Sequence, residues 1–377
     1  MLTEEQLAIQ DMARRFAQEH IKPFAAQWDE KEQYPKETIA AMGQLGLLGM
    51  VVPPEWGGAG TDYVSYVLAI EEIAAGDGAC STIMSVNKSV VCLPILSHGS
   101  EQQKKQFLTP LANGQALGCF CLTEAQAGTD AANLQTRAVR KGDHYVLNGS
   151  KQFITSGKNA DYAIVIAVTD PTQGKKGFSA FVVPTHTKGY QVARLEKKLG
   201  QRCSDTAQIV FDQLHIPVEN RLGAEGEGYK IALSHLETGR IGIAAQSVGM
   251  ARAAYAIALD YAQNRQTFGC ALIEHQAIAF RLADMATELE AARLLVLHAA
   301  SRLDQGLTCL TEACMAKLFC SEMAERVCSA ALQILGGYGY VQDFPIEKIY
   351  RDVRVTQIYE GTSDVQRMLI SRQIVKV

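Results

Sequence analysis

The sequence predicts an α+β protein in which a helical domain, a central β-barrel-like domain and a carboxyl-terminal helical bundle follow one another. Three textures carry this. Apolar residues recur at helical spacing from residue 3 to about 112; short apolar runs punctuated by Gly, Pro, Asn and Asp fill Ala116 to about Phe211; long helical spacing returns from Gly228. The expected domains are 1–115, 116–227 and 228–377.

At the amino end, Thr3 and Gln6 form the pattern of a capping box, and Pro35 and the Ser100/Gln103 pair mark later helix starts. Gly57-Gly-Ala-Gly60 after Pro53-Pro54 reads as punctuation between helices, since no strand precedes it as a phosphate loop requires. In the middle, Ala163–Ala167 and Phe178–Val183 read as strands without intervening helices, which favours a compact sheet or barrel over a βαβ array. A dinucleotide fold is excluded further because no G-x-G-x-x-G occurs; Gly223, Gly226 and Gly228 stand in the wrong order. Beyond them, Tyr229–Asn264, His275–Gln305 and Leu310–Leu335 predict long antiparallel helices. None of the eight histidines has a Glu three residues before it, so a di-iron centre in that bundle is a poor fit.

With 377 residues and 47% apolar content the chain can bury a large core, and a net charge of −4 gives no electrostatic footprint for nucleic acid. The ten cysteines (Cys80, Cys92, Cys119, Cys121, Cys203, Cys270, Cys309, Cys314, Cys320 and Cys328) show no C-x-x-C, and no H-x-x-x-H accompanies them. They read as reduced, buried thiols, with Cys119 and Cys121 on one face of a strand, and no metal site is expected. No signal sequence and no uninterrupted apolar stretch of about 18 residues is apparent, so the expectation is a cytoplasmic protein without a membrane span.

Near the carboxyl end, Gln357-Ile-Tyr-Glu-Gly-Thr-Ser-Asp-Val-Gln-Arg367 places Glu360 between an apolar-aromatic run and a helix start. Gly361 suits a tight turn, and Thr362 or Ser363 can cap a helix from Asp364 to Ile374. On such an elbow, facing a cavity, a carboxylate can serve as a general base; on a surface it would merely complement the helix dipole.

Ile358 to Arg367 resembles the catalytic signature of the acyl-CoA dehydrogenase family. Leu122-Thr-Glu-Ala-Gln-Ala-Gly-Thr-Asp130 and Gln152-Phe-Ile-Thr-Ser-Gly157 resemble its two flavin segments. Arg265-Gln-Thr-Phe-Gly269, Gln333-Ile-Leu-Gly-Gly-Tyr-Gly339 and Tyr350-Arg-Asp352 match further motifs in order. The resemblance implies the helical–β–four-helix-bundle fold and FAD as cofactor. Phe120, Cys121, Leu122, Thr123, Gly128 and Thr129 would line the flavin ring, with Phe153, Ile154 and Thr155 beside it. Arg265, Phe268, Gln276, Gln333, Ile334, Leu335, Gly336 and Gly337 would hold its pyrophosphate and adenine, partly across a subunit boundary. Thr362 and Asp364 would be further cofactor contacts by the same resemblance. A helix C-cap is the plainer role for Gly336-Gly337.

For the acyl-CoA substrate the resemblance implies contacts at Thr129, Glu237, Thr238, Gly239, Arg240, Tyr359 and Gly361, although Arg240 reads equally as a helix-surface ion pair. Glu360 is the implied base, because Gly239 stands where some subgroups carry theirs. The α proton would pass to Glu360 and the β hydride to flavin N5, giving a trans-2-enoyl-CoA; an electron-transferring flavoprotein would accept the electrons. A homo-oligomer, a tetramer built as a dimer of dimers, is implied too. Gly239–Ala245 resembles short-chain and short branched-chain members. Departures from the pattern are Ala125-Gln126 for Pro-Gly, Phe153 for tryptophan, and Asp364. An acyl-CoA oxidase and a non-catalytic CoA-binding scaffold are the alternatives.

Overall fold

The computed structural model describes residues 2–375. Helices fill the chain from Glu4 to Ala112. The first is closed by the expected box: Gln6 N donates to Thr3 Oγ1 at 3.1 Å and Thr3 N to Gln6 Oε1 at 3.0 Å. Tyr63–Gly76 and Gly78–Val86 form the middle of this part, and every residue from Val64 to Ala74 is buried. Asp77 separates them with extended backbone, and its Oδ1 accepts from Cys80 N at 2.8 Å, capping the second helix.

That second helix runs on through a π-helical turn, Asn87–Cys92, to His98. Gly78–His98 is long and apolar enough to cross a membrane, a stretch the sequence reading passed over. Yet 89% of its most apolar window is buried by the rest of the chain, as in a core helix.

The middle of the chain holds β1 (Gly118–Cys121), β2 (Arg137–Lys141), β3 (His144–Thr155), β4 (Tyr162–Val168), β5 (Phe178–Pro184), β6 (Tyr190–Leu195), β7 (Thr206–Pro217) and β8 (Arg221–Leu222). They pair in the order β6-β7-β3-β2-β4-β5-β8, with β1 parallel to β4. Among the described residues no pairing joins β6 to β8, so the barrel-like domain is a wrapped sheet that does not close. Its inner face buries Tyr145, Leu147, Val165, Phe181, Ile209 and Phe211, along with Cys119 and Cys121. The outer face of β4 and β5 is buried as well, since Ile164, Ile166 and Val182 pack on Val91, Ile95, Phe107 and Leu111. Cover on both faces is why Ala163–Ala167 reads as a continuous apolar run.

Three long helices dominate the last part: Gly228–Asn264, Gln276–Asp304 and Leu310–Leu335, joined by the shorter Ile346–Val353 and Ser363–Ile374. The first, of 37 residues, is about 55 Å long at 1.5 Å per residue. It packs closely on Tyr63–Gly76: a Cβ at Gly249 would lie 2.2 Å from the Glu71 carbonyl oxygen.

Candidate active site

Between the turn Arg354–Gln357 and the helix Ser363–Ile374 the backbone makes a sharp elbow, with Glu360 at φ +54° and Gly361 at φ +88°. Glycine bears such a conformation without cost, whereas a glutamate must be held in it. Lys317 Nζ donates to the Gly361 carbonyl at 2.7 Å, and the buried Gln366 amide donates to the Glu360 and Gly361 carbonyls at 3.2 and 2.8 Å. Thr362 caps the helix, accepting from Val365 N at 3.3 Å. Among the described residues no hydrogen bond engages the Glu360 N–H.

Beneath the elbow, Tyr359 enters a buried polar network. Its hydroxyl donates to Gln246 Oε1 at 2.5 Å and lies 3.3 Å from Thr82 Oγ1; Gln246 Nε2 donates to Thr82 Oγ1 at 2.6 Å, and Thr82 Oγ1 to Gln201 Oε1 at 2.7 Å. The network joins the amino-terminal helices, the segment before β7 and the carboxyl-terminal bundle. Next to it lies an ion triad in which Lys348 Nζ stands 2.6 Å from both Asp77 Oδ2 and Asp352 Oδ2.

The Glu360 carboxylate faces inward, and among the described residues its buried Oε2 has no hydrogen-bond partner. Burial raises its pKa to about 7, against the pull of Arg240, Lys317 and Lys88. All three cations are buried. Arg240 is therefore not the surface ion pair the sequence allowed, and among the described residues its Nε has no hydrogen-bond partner. Desolvation lowers Lys317 to about 8 and Lys88 to about 7. Gly239 abuts the carboxylate: a Cβ there would lie 2.9 Å from Oε2. Sequence reasoning missed Lys88 and Lys317; the available signal was a lone lysine inside each apolar helical run.

The structure brings the two flavin-like segments together. Gln152 N donates to the Thr123 carbonyl at 2.8 Å, and buried Lys151 donates to the Leu122 carbonyl at 2.9 Å and to Glu124 Oε1 at 2.8 Å. Glu124 also accepts from Gln135 N and Thr136 N, at 2.7 and 3.1 Å. Gln126, a departure from the family pattern, ties the same loop by donating to Glu124 Oε2 at 2.8 Å and to the Asn133 carbonyl at 3.2 Å. Cys121, Leu122 and Ile154 are buried, Phe120, Thr123 and Thr155 half-buried, and Gly128 and Thr129 exposed. Phe153 sits at φ +59° with 62% of its surface exposed, presenting a ring beside this loop.

A second group gathers elsewhere. Arg265 lies over the Tyr338 ring, 5.9 Å from its centroid, beside a cavity of about 600 Å³ lined by Thr267, Ile334, Leu335 and Gly337. Phe268 projects from the hairpin that pairs Gln266–Thr267 with Cys270–Ala271, 99% exposed, and Gln276 and Gln333 are exposed at helix ends. Gly336, at φ +61°, closes its helix, so the C-cap role holds. From Gly239 to Asn264 the helix runs about 38 Å, which separates this group from Glu360. Glu237 Oε1 accepts from Cys309 N at 3.2 Å, Thr238 Oγ1 donates to the His235 carbonyl at 3.1 Å, and the Asp364 side chain is exposed.

A wrapped sheet between helical domains, with a carboxylate elbow facing the bundle, defines a class of flavoprotein dehydrogenases. The chain belongs to the acyl-CoA dehydrogenase family: models of its N-terminal, middle and C-terminal domains match residues 3–115, 119–214 and 226–375. It is 48% identical to an acyl-CoA dehydrogenase of Bacillus subtilis, over 99% of this chain and 98% of the relative. It is 45% identical to a short-chain specific acyl-CoA dehydrogenase of Clostridium acetobutylicum, over the same shares. The butyryl-CoA dehydrogenase structure from Megasphaera elsdenii superposes with a TM-score of 0.98 at 42% identity, over 100% of this chain and 99% of that one. FAD is the cofactor of the family, and the enzyme is an oxidoreductase acting on the CH–CH group of acyl-CoA.

Proposed function

We propose that Glu360 is the base that takes the α proton from a short acyl-CoA thioester. The unpartnered, buried Oε2 carries this reading, because a carboxylate raised to about 7 by burial is matched to proton abstraction near neutrality. The free Glu360 N–H is the donor available to the thioester carbonyl; a preorganised donor of that kind contributes about 3 kcal/mol. Arg240, Lys317 and Lys88 surround the carboxylate and favour its ionised form. Tyr359 and Gln366 fix the backbone of the elbow that carries the carboxylate.

Bound FAD supplies the acceptor for the β hydride. The residues fit the group: the Leu122–Thr129 loop pinned to β3 offers backbone groups and the exposed Phe153 ring for the flavin, and the Arg265 cavity offers a cation and open glycine backbone for phosphate and adenine. The helix from Gly239, beside Glu360, to Asn264, beside Arg265, runs about 38 Å, and an Arg265 group supplied by a second copy would bring the two together; this supports a homo-oligomer, a tetramer as a dimer of dimers. FAD retention that falls on dilution together with oligomer size would bear this out. An electron-transferring flavoprotein as acceptor and a cytoplasmic location complete the reading. All ten cysteines are free, which suits a reducing compartment.

The decisive experiment is anaerobic titration of the holoenzyme with short acyl-CoA thioesters while flavin absorbance is followed. Bleaching in the wild type and its loss by at least about a hundredfold in rate in Glu360→Gln, with FAD still bound, is the expected result. Equal rates in the two would remove Glu360 as base.

A further inference from the structure

His235 is a buried base that proton abstraction by Glu360 does not use. Its side chain is 9% exposed, and among the described residues its Nε2 has no hydrogen-bond partner. Burial, with His98 and Lys88 beside it, lowers its pKa to about 4, so the ring is neutral near pH 7, with one nitrogen a donor and the other an acceptor. One helical turn separates His235 from Gly239. The two therefore lie one above the other on the same face of Gly228–Asn264, with about 5–6 Å between their Cβ positions. Gly239 abuts the Glu360 carboxylate, where a Cβ would lie 2.9 Å from Oε2. Lys88 links the same two places from the helix opposite, since its charge acts on both Glu360 and His235.

On its other side the His235 ring meets that of His98 edge to face, with centroids 5.6 Å apart. His98 is half-buried and lines a cavity of about 300 Å³ together with Ser100, Gln102, Gln106 and Asn220. Ser100, Gln102 and Gln106 are exposed, so this cavity opens to solvent. Burial lowers the His98 pKa, and the two charged groups facing it, Glu227 and Lys230, act in opposite directions. Between the cavity and the elbow, Glu360 Oε2, Arg240 Nε, Lys88 Nζ, Ser89 Oγ and His235 Nε2 are all buried without a hydrogen-bond partner among the described residues. Buried polar atoms of this kind are satisfied by internal water, which also carries protons between them. After abstraction Glu360 holds the α proton at a buried oxygen, and it cannot act again until that proton has left.

We propose that His235 and His98 carry the α proton from Glu360 to the surface cavity while the thioester is still bound. This rests on the reading of Glu360 as the base. Glu360 passes its proton through water to His235 Nε2, His235 gives up its other ring proton to His98, and His98 releases one to water in the cavity. One proton leaves the protein, and both rings end neutral. The Lys88 charge keeps the proton from settling on His235.

The test is single-turnover exchange in D2O: holoenzyme in anaerobic excess over butyryl-CoA is quenched at intervals and deuterium at the α carbon is read by mass spectrometry, beside the rate at which a chase displaces the thioester. As the reaction reverses, a deuteron taken up by Glu360 returns to the α carbon. Deuterium is expected to enter at least about tenfold faster than the thioester leaves, and His235→Leu or His98→Ala to slow it to the rate of dissociation. Imidazole in the buffer should restore exchange in His98→Ala, because the cavity is open; a purely structural role for the ring would give no such rescue. Wild-type exchange no faster than dissociation overturns the proposal without any variant, as does exchange kept in both variants, or a His98→Ala that imidazole does not restore. Wild-type exchange retained in Glu360→Gln would instead remove Glu360 as the base.

Discussion

Gly239 and Glu360 occupy adjoining space: the hydrogen on the Gly239 α carbon stands where a methyl group would lie 2.9 Å from the carboxylate oxygen Oε2. The helix backbone is regular there, so alanine suits the local conformation and would stabilise it by about 0.5–1 kcal/mol on propensity alone. The atom it meets is the end of a flexible side chain, which can move. Gly239→Ala is therefore expected to keep or raise Tm while lowering kcat by about tenfold or more, because a small misplacement of a base is enough. A fall in Tm with unchanged kcat would show that the carboxylate position does not matter.

The raised pKa of Glu360 gives the ligand-free protein a pH dependence with a definite sign. Its folded pKa, about 7, exceeds the ordinary 4.5, so the folded state binds the proton more tightly. The stabilisation is present below pH 4.5 and is lost as pH rises through about 7. Glu360→Gln should therefore raise Tm at pH 8 and change it little at pH 4. The rate of flavin reduction in the wild type runs the other way, rising with pH as the base ionises. Lys317→Met, which removes a neighbouring positive charge, should move that rate profile to higher pH.

Lys151 and Glu124 tie the strand to the loop that the flavin ring would touch. Burial raises the Glu124 pKa, but Lys151 and the backbone donors outweigh it and hold it at about 2. Lys151→Met would leave Glu124 Oε1 and the Leu122 carbonyl without this donor. Loss of one member of a buried pair typically costs about 3–5 kcal/mol. The readout is FAD release, expected to be faster than in the wild type.

Much of this architecture was legible in the sequence because it is local. Helix starts at Thr3 and Ser100, the glycine turn after Glu360 and the long helices before Asn264, Asp304 and Leu335 are written in caps, breaks and periodicity. Buried charge is not local. Lys88, Lys317 and Lys348 each sit in sequence surroundings that look like ordinary helix. Only the packing of distant segments removes them from water and turns one into an orphan, one into an elbow clamp and one into a triad. The Tyr359 network is equally invisible in one dimension, since Thr82, Gln201 and Gln246 meet it from three parts of the chain. The flavin segments declared their chemistry through motifs, but only the length of the Gly228–Asn264 helix separates the Arg265 group from Glu360.

Lys348 holds three parts of the chain at one point. Asp77 caps Gly78–Val86, Asp352 accepts from Gln201 N before β7, and Lys348 bridges both carboxylates from Ile346–Val353. Two buried carboxylates near one another are tolerable only with that cation between them, which is why the Lys348 pKa is driven up, burial notwithstanding, by Asp352 and Asp77. Lys348→Met leaves the pair unneutralised, at a cost of about 3–5 kcal/mol, and should lower the denaturant midpoint steeply. Replacing the whole triad, Lys348→Met with Asp77→Asn and Asp352→Asn, removes the charges together. The midpoint should then recover by a large part of that loss, because the amides can keep some of the hydrogen bonds without the repulsion. A triple variant no more stable than Lys348→Met would mean that the domains are held by the geometry of those bonds rather than by charge balance.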